Sequence, residues 1–96
     1  MIGSFKDAAL EAFYFEGPSR LTRRIPAELH AVIRRKLDQL YNAVEINDLR
    51  VPPGNRLEAL KGELQGWHSI RVNDQWRLVF RWCEDAAYDV DFTDYH

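Results

Sequence analysis

Between residues 67 and 92 the chain reads as three runs of alternating apolar and polar residues, separated by two short turn signals. Ile70 and Val72 alternate in the first run, Trp76, Leu78, Phe80 and Trp82 in the second, and Tyr88, Val90 and Phe92 in the third. Successive side chains on a strand point to opposite faces, so each run has one apolar face to bury. Asn73-Asp74 is a two-residue hairpin signal and Glu84-Asp85 a second turn. The pattern predicts antiparallel strands with Tyr88, Val90 and Phe92 on the same covered face as Leu78 and Phe80. The other face then carries Trp67, Ser69 and Arg71, then Arg77, Val79 and Arg81, then Asp89 and Asp91. Cross-strand pairing of Arg71, Arg77 and Arg81 with Asp89 and Asp91 is one reason for such a row. Exposed pairs contribute only about 0–1 kcal/mol each, so stability alone is a weak reason for it.

The rest of the chain supplies the cover. Met1 to Phe5 is apolar enough for a first short strand, and Leu10, Phe13 and Tyr14 follow at helical spacing within a helix from Lys6 to Phe15. Gly17-Pro18 ends that helix, and Ser19 to Arg24 is a basic connector. Pro26 suits a first helical turn, where a missing N–H leaves nothing unpaired. From there Leu29, Val32, Ile33, Leu37, Leu40 and Tyr41 recur at steps of three and four, predicting an amphipathic helix of four or five turns. Arg34, Arg35 and Asp38 point away from that stripe, and His30 reads as a surface histidine. Asn42 to Asn55 is the longest irregular piece, with Leu49 and Val51 as its anchors and Pro52-Pro53-Gly54-Asn55 as its bend. Leu57 to Leu60 then makes a short strand before a turn over residues 61–66. The expected fold is α+β: a compact domain over residues 1–96, with two N-terminal helices packed on a mostly antiparallel sheet of about four to five strands.

Length and charge bound the function. A chain of 96 residues buries roughly 60–65% of its unfolded surface, too little to divide between two cores. The formal net charge of -2 argues at first against a nucleic-acid partner, but its distribution does not. Basic residues dominate from Arg20 to Lys36 and from Arg50 to Arg81, whereas Glu84, Asp85, Asp89, Asp91 and Asp94 gather near the end. A dipolar molecule of this kind can carry a cationic groove despite its sum. Cys83 stands alone, with no partner for a disulfide or a zinc site, and His30, His68 and His96 lack metal-ligand spacing. No metal and no cofactor are expected. The start lacks a basic segment followed by an apolar run, and no stretch reaches the roughly 18–20 apolar residues of a membrane span, so a cytoplasmic protein is expected.

The polar face and the closing Asp94-Tyr95-His96 together suit metal-free RNA cleavage. That reaction needs a base for the 2′-OH proton, an acid for the leaving 5′-oxygen, and cations for the charge that builds on the phosphoryl oxygens. His96, Asp94 and Glu58 are the candidate proton carriers. Lys61 and Arg77 are candidate phosphate clamps, and Arg71 adds to them, arginine being suited to a planar two-point grip. Trp67, Tyr95 or His68 can stack on a base.

Three segments sharpen this reading: PPGNRLEALKG over residues 52–62, HSIRVNDQWRLVFRW over residues 68–82, and AYDVDFTDYH over residues 87–96. With MIGSF-K at the start, the chain resembles the HigB toxins, the plasmid maintenance system killer proteins of the RelE-like superfamily, almost end to end. The resemblance implies a ribosome-dependent mRNA interferase that cuts in the ribosomal A site, on mRNA held with 16S rRNA. It also implies a helix-turn-helix antitoxin of the HigA type, operator DNA contacted only through that antitoxin, and no membrane partner. By position, Lys61 and Arg77 correspond to the phosphate-binding and transition-state residues, and Asp94, Tyr95 and His96 to the catalytic C-terminal group. Where some relatives carry a histidine, this chain has Glu58, which is either a base or an orienting group for Arg77 or Lys61. His96 is then the better candidate acid. The rival expectation is a RelE-like scaffold that binds a protein partner and cuts weakly or not at all.

Overall fold

The computed structural model describes residues 1–94. Helices α1 (Ala8–Glu16) and α2 (His30–Asn42) come first. They are followed by strands β1 (Glu58–Ala59), β2 (Trp67–Arg71), β3 (Trp76–Cys83) and β4 (Ala86–Asp94), with two 3-10 turns between α1 and α2, two between α2 and β1, and one between β1 and β2. The strands lie in the order β1-β2-β3-β4, each antiparallel to the next. The α+β expectation therefore holds, with two helices and four antiparallel strands among the described residues.

The N-terminal segment runs parallel to β4 along its outer side, with bridges Ile2–Ala87 and Phe5–Val90. Gly3 N donates to Ala87 O at 2.7 Å and Val90 N donates to Ser4 O at 3.1 Å, so the edge of β4 is paired over this stretch rather than left open. Gly3 has a steric reason to be glycine: a Cβ there would overlap the Tyr88 ring.

Helix α1 starts two residues later than the apolar pattern suggests, because Asp7 is its cap. Asp7 Oδ1 accepts from Ala9 N at 2.9 Å and Leu10 N at 3.3 Å, and Arg24 pairs with the same carboxylate. The helix ends where Gly17, at φ +84°, turns its N–H back to Phe13 O at 2.9 Å. The predicted second helix is a 3-10 turn (Ala27–Leu29) behind Pro26, continued by α2. Ile33, Leu37 and Leu40 are buried as their spacing requires, but Tyr41 is half exposed, and Lys36 is buried in its stead.

One core fills the space between helices and sheet. Leu10 and Phe13 of α1 and Ile33, Leu37 and Leu40 of α2 pack on Ile70, Leu78, Phe80, Ala87, Val90 and Phe92. Trp76 lies flat on Phe92, with ring centroids 4.4 Å apart. The irregular stretch before β1 is anchored by Leu49, which is fully buried, while Val51 is exposed. Asn55 is its polar anchor. It is wholly buried, accepts from Lys36 Nζ, and donates to Gln39 Oε1 at 2.9 Å and Leu49 O at 3.0 Å. Its amide thus ties α2, the preceding turn and the approach to β1 together. No helix among the described residues is long and apolar enough to cross a membrane.

Two sequence expectations fail in the sheet. The β2–β3 turn is not a two-residue hairpin. Arg71 pairs with Arg77 and Val72 N donates to Trp76 O, which leaves Asn73, Asp74 and Gln75 as a three-residue loop. Asn73 Oδ1 accepts from Gln75 N at 2.9 Å and Trp76 N at 2.8 Å and builds that loop from its own side chain. Tyr88 is also on the other face. Asp89 and Val90 together oppose Phe80, with Asp89 in the left-handed region at φ +52°. This bulge shifts the alternation by one, so Val90 and Phe92 face the core while Tyr88 pairs with Arg81 across the sheet.

Candidate active site

The face of the sheet turned away from the helices carries three cross-strand rows. Arg71, Arg77 and Thr93 form one; Ser69, Val79 and Asp91 the next; Trp67, Arg81 and Tyr88 the third. Rows on one face are two residues apart along a strand, roughly 6.6 Å. Lys6, Leu60, Leu64 and Asp94 complete the walls of a cleft of about 370 Å³ whose floor includes Trp67, Ser69, Val79, Asp91 and Thr93.

Arg77 occupies the first row with only 7% of its surface exposed. Its Nη1 donates to Asn73 O at 2.8 Å and to Trp76 O at 3.4 Å, so the three-residue loop fixes the guanidinium. A buried cation held by backbone carbonyls has little orientation left to lose when it meets an anion. Arg71, opposite it, pairs with Asp74 in the same loop. The Asp74 carboxyl is pulled below its ordinary range by the Arg71 hydrogen bond first, then by the Arg71 charge, with Arg56 and Arg77 adding to the effect. The Arg71 and Arg77 guanidinium groups therefore share this end of the sheet.

β4 ends at the same place. Asp94 pairs in register with Trp76, next to the Arg77–Thr93 pair, and its Oδ2 accepts from Gln75 Nε2 at 3.1 Å. Tyr95 and His96, the other members of the predicted C-terminal group, lie outside the described residues. Lys61 is exposed at the start of the 3-10 turn Gly62–Leu64, directly after β1. Glu58 is exposed on β1 opposite Ser69, two strands away from β3. The register makes Arg71, rather than Arg77, its diagonal neighbour, and among the described residues Glu58 forms no ion pair with Lys61.

Trp67 is separated from this cluster. It pairs with Arg81, four residues along the strand from Arg71, or roughly 13 Å. Lys6 Nζ lies 5.9 Å and Arg81 Cζ 6.0 Å from its ring, so the indole sits among cations. Arg81 is itself held by Asp89 at 2.9 Å, which realises the predicted cross-strand pairing at this position. Asp91 makes no ion pair among the described residues.

His68 is a correction. Alternation that turns Trp67 and Ser69 to the cleft turns His68 to the core, where it lies parallel to Phe80 at 6.1 Å. Burial lowers its pKa, and its Nδ1 has no hydrogen-bond partner among the described residues. It has no access to a base in the cleft. His30 is not a surface histidine either: Nε2 lies 3.1 Å from Ile25 O and the ring packs 4.7 Å from Phe13. Lys6 is the cleft residue that sequence reasoning missed, because its place depends on the N-terminal segment pairing with β4 more than eighty residues away.

Comparisons with known proteins agree with this architecture. A family model described as the RelE-like toxin of type II toxin-antitoxin system HigB matches residues 3–96. The chain is similar to Toxin HigB-1 of Vibrio cholerae serotype O1, 46% identical over 86 residues that cover 90% of this chain and 88% of that one. An uncharacterized protein of Haemophilus influenzae is 42% identical over 78 residues, 81% of this chain and 75% of that one. Endoribonuclease HigB of Proteus vulgaris is 33% identical over 96 residues, the full length of both chains.

Proposed function

The chain belongs to the HigB-like toxin family, the RelE-like toxins of type II toxin-antitoxin systems, and from that premise we propose that it is a ribosome-dependent endoribonuclease acting on mRNA in the ribosomal A site. The observation that carries this reading is the Arg71–Arg77 row. It is a buried guanidinium fixed by backbone beside a second arginine, on the face turned away from the helices, at the end of the sheet where β4 delivers Asp94.

The chemistry follows from what that row offers. A 2′-oxygen attacks the adjacent phosphorus, its proton passes to a base, and the 5′-oxygen leaves with a proton from an acid. Negative charge grows on the phosphoryl oxygens between these events. Arg77 meets that charge with donors already oriented, and Lys61 supplies a mobile second cation from the rim. Asp94 lies at the Arg77 end, and with Tyr95 and His96, which follow it in the sequence, it forms the proton-handling group of this reading, with His96 as the acid. Glu58 stands two strands from Arg77, so its place in the register supports a role at the rim near Arg71 and Lys61 rather than the orientation of Arg77.

The ribosome supplies what a chain of net charge -2 lacks. Phosphate affinity rises with the number of cations engaged, and the cationic surface here is local. A ribosome that presents the mRNA beside 16S rRNA removes the need for strong binding to free RNA. A HigA-type helix-turn-helix antitoxin neutralises the toxin and carries operator binding for the pair.

The test is chemical. Purified protein is added to 70S ribosomes programmed with a defined mRNA, and the same mRNA is made with a single 2′-deoxynucleotide at the mapped cut. Cleavage of the ribo substrate with its loss in the deoxy substrate is expected. Equal cutting of both would exclude 2′-OH attack, and cutting of neither by folded protein would favour a RelE-like binding module instead.

A further inference from the structure

The middle row of the cleft is built differently from its neighbours. Ser69, Val79 and Asp91 stand side by side on β2, β3 and β4, between the Arg71–Arg77 row and the Trp67–Arg81 row. No cation belongs to it. Its centre is an isopropyl group, flanked by a hydroxyl on one side and a carboxylate on the other. All three line the cleft.

Two groups in this row are polar without an internal reason. Ser69 is 1% exposed, and its Oγ has no hydrogen-bond partner among the described residues. A hydroxyl left so costs about 1–3 kcal/mol, a cost the fold avoids almost everywhere else. Asp91 has one oxygen engaged, Oδ1 accepting from Phe92 N at 3.0 Å, and among the described residues it forms no ion pair although Lys6 shares the same cleft. An anion is also the wrong group to place where a phosphate would lie. The row repels phosphate and offers a flat apolar patch with hydrogen-bonding groups at two edges, which is what a nucleobase needs.

We propose that Ser69, Val79 and Asp91 form a nucleobase subsite that takes a base carrying an exocyclic amino group on its pairing edge; this rests on the endoribonuclease reading above. Adenine and cytosine each present an amino donor next to a ring-nitrogen acceptor on that edge, and guanine presents two neighbouring donors. The Asp91 carboxylate accepts from the amino group, and the Ser69 hydroxyl, as donor or acceptor, meets the opposite side. Uracil offers one N–H between two carbonyl oxygens, whose lone pairs face the carboxylate unfavourably. The base lies over Val79 while its own phosphate reaches the Arg71–Arg77 row, roughly 6.6 Å further along the strand. Leu60 and Leu64 close the apolar side. The neighbouring base in the strand meets Trp67, with Lys6 and Arg81 around the indole.

The experiment compares the wild type with Asp91→Asn and Ser69→Ala, two near-isosteric changes, on 70S ribosomes programmed with mRNAs that differ only in the base at each position of the cleaved codon. Purine riboside replaces adenosine in a parallel set to remove the amino group alone. At one position the wild type is expected to cut amino-bearing bases at least about tenfold faster than uracil or purine, the scale of one hydrogen bond to a charged group. Asp91→Asn should bring that ratio close to one without slowing the uracil substrate, and Ser69→Ala should narrow it less. An unchanged ratio in both variants, with the wild type active, overturns the subsite and leaves the nuclease standing. A uniform loss over all bases in thermally intact Asp91→Asn overturns it too, because that result makes Asp91 general to the reaction. No cutting by the wild type removes the nuclease reading, and the subsite with it.

Discussion

The two faces of one sheet obey different rules. The helix-side face is built from Ile70, Leu78, Phe80, Val90 and Phe92 and is dry. The cleft-side face buries Arg77 and Ser69, holds an indole among cations, and sets the half-buried Asp91 carboxylate beside Val79. Burial on the first face is stabilising by itself. On the second it costs: backbone carbonyls hold Arg77 and a loop carboxylate holds Arg71, whereas the Ser69 hydroxyl is left without a partner among the described residues. The contrast separates residues that make the fold from residues that use it, although they alternate one by one along the same strands.

The contrast is sharpest at β3, where Phe80 and Arg77 are three residues apart. Phe80→Ala removes a fully buried ring from the dry face and should cost about 3–5 kcal/mol, seen as a large drop in the thermal midpoint, with activity lost through unfolding. Asn55→Ala tests the polar anchor that ties α2 to the stretch before β1. It strands the Lys36 ammonium and the Leu49 carbonyl in the interior, and a loss of about 3 kcal/mol is expected by chemical denaturation. A loss under half that size would mean that water replaces the amide easily.

His68 gives the contrast a pH dependence. Burial holds its folded pKa below the unfolded value, so the unfolded chain takes up the proton first. Stability from this site is complete above about pH 6.5 and is lost as pH falls through the window below it, down to the depressed folded value. His68→Phe should flatten the stability profile between pH 7 and 5 while leaving activity near neutrality intact. An unchanged slope would show that His68 does not titrate with folding. Arg81→Ala is the smallest effect: the Arg81–Asp89 pair is half exposed, and its removal should change stability by about 0–1 kcal/mol.

Much of the dry face was legible because alternation is a local signal that a core enforces. Leu78, Phe80 and Phe92 fall where the pattern puts them. Tyr88 does not, because a bulge at Asp89 inserts one residue, and no residue type in Tyr88-Asp89-Val90 announces it. The Asn73-Asp74 signal marked the right turn with the wrong length. The side chain of Asn73 closes a three-residue loop, and that choice sets Arg71 opposite Arg77. On α2 the spacing found Ile33, Leu37 and Leu40 but not Lys36, whose burial depends on meeting Asn55 nineteen residues later. The cleft face was legible as a list of arginines. Its middle row was not, since a serine, a valine and an aspartate gain meaning only when three strands bring them side by side.

The most direct measurement places one residue from each face in a single cleavage assay. Wild type, Arg77→Ala and His68→Phe are compared on mRNA-programmed 70S ribosomes, with thermal melts showing that each protein is folded. The prediction is a fall of about 10²–10³-fold for Arg77→Ala, the scale expected when one fixed donor to the developing charge is removed, and near-wild-type cutting for His68→Phe. Folded Arg77→Ala that cuts as fast as the wild type would contradict the assignment of the face turned away from the helices as the catalytic one.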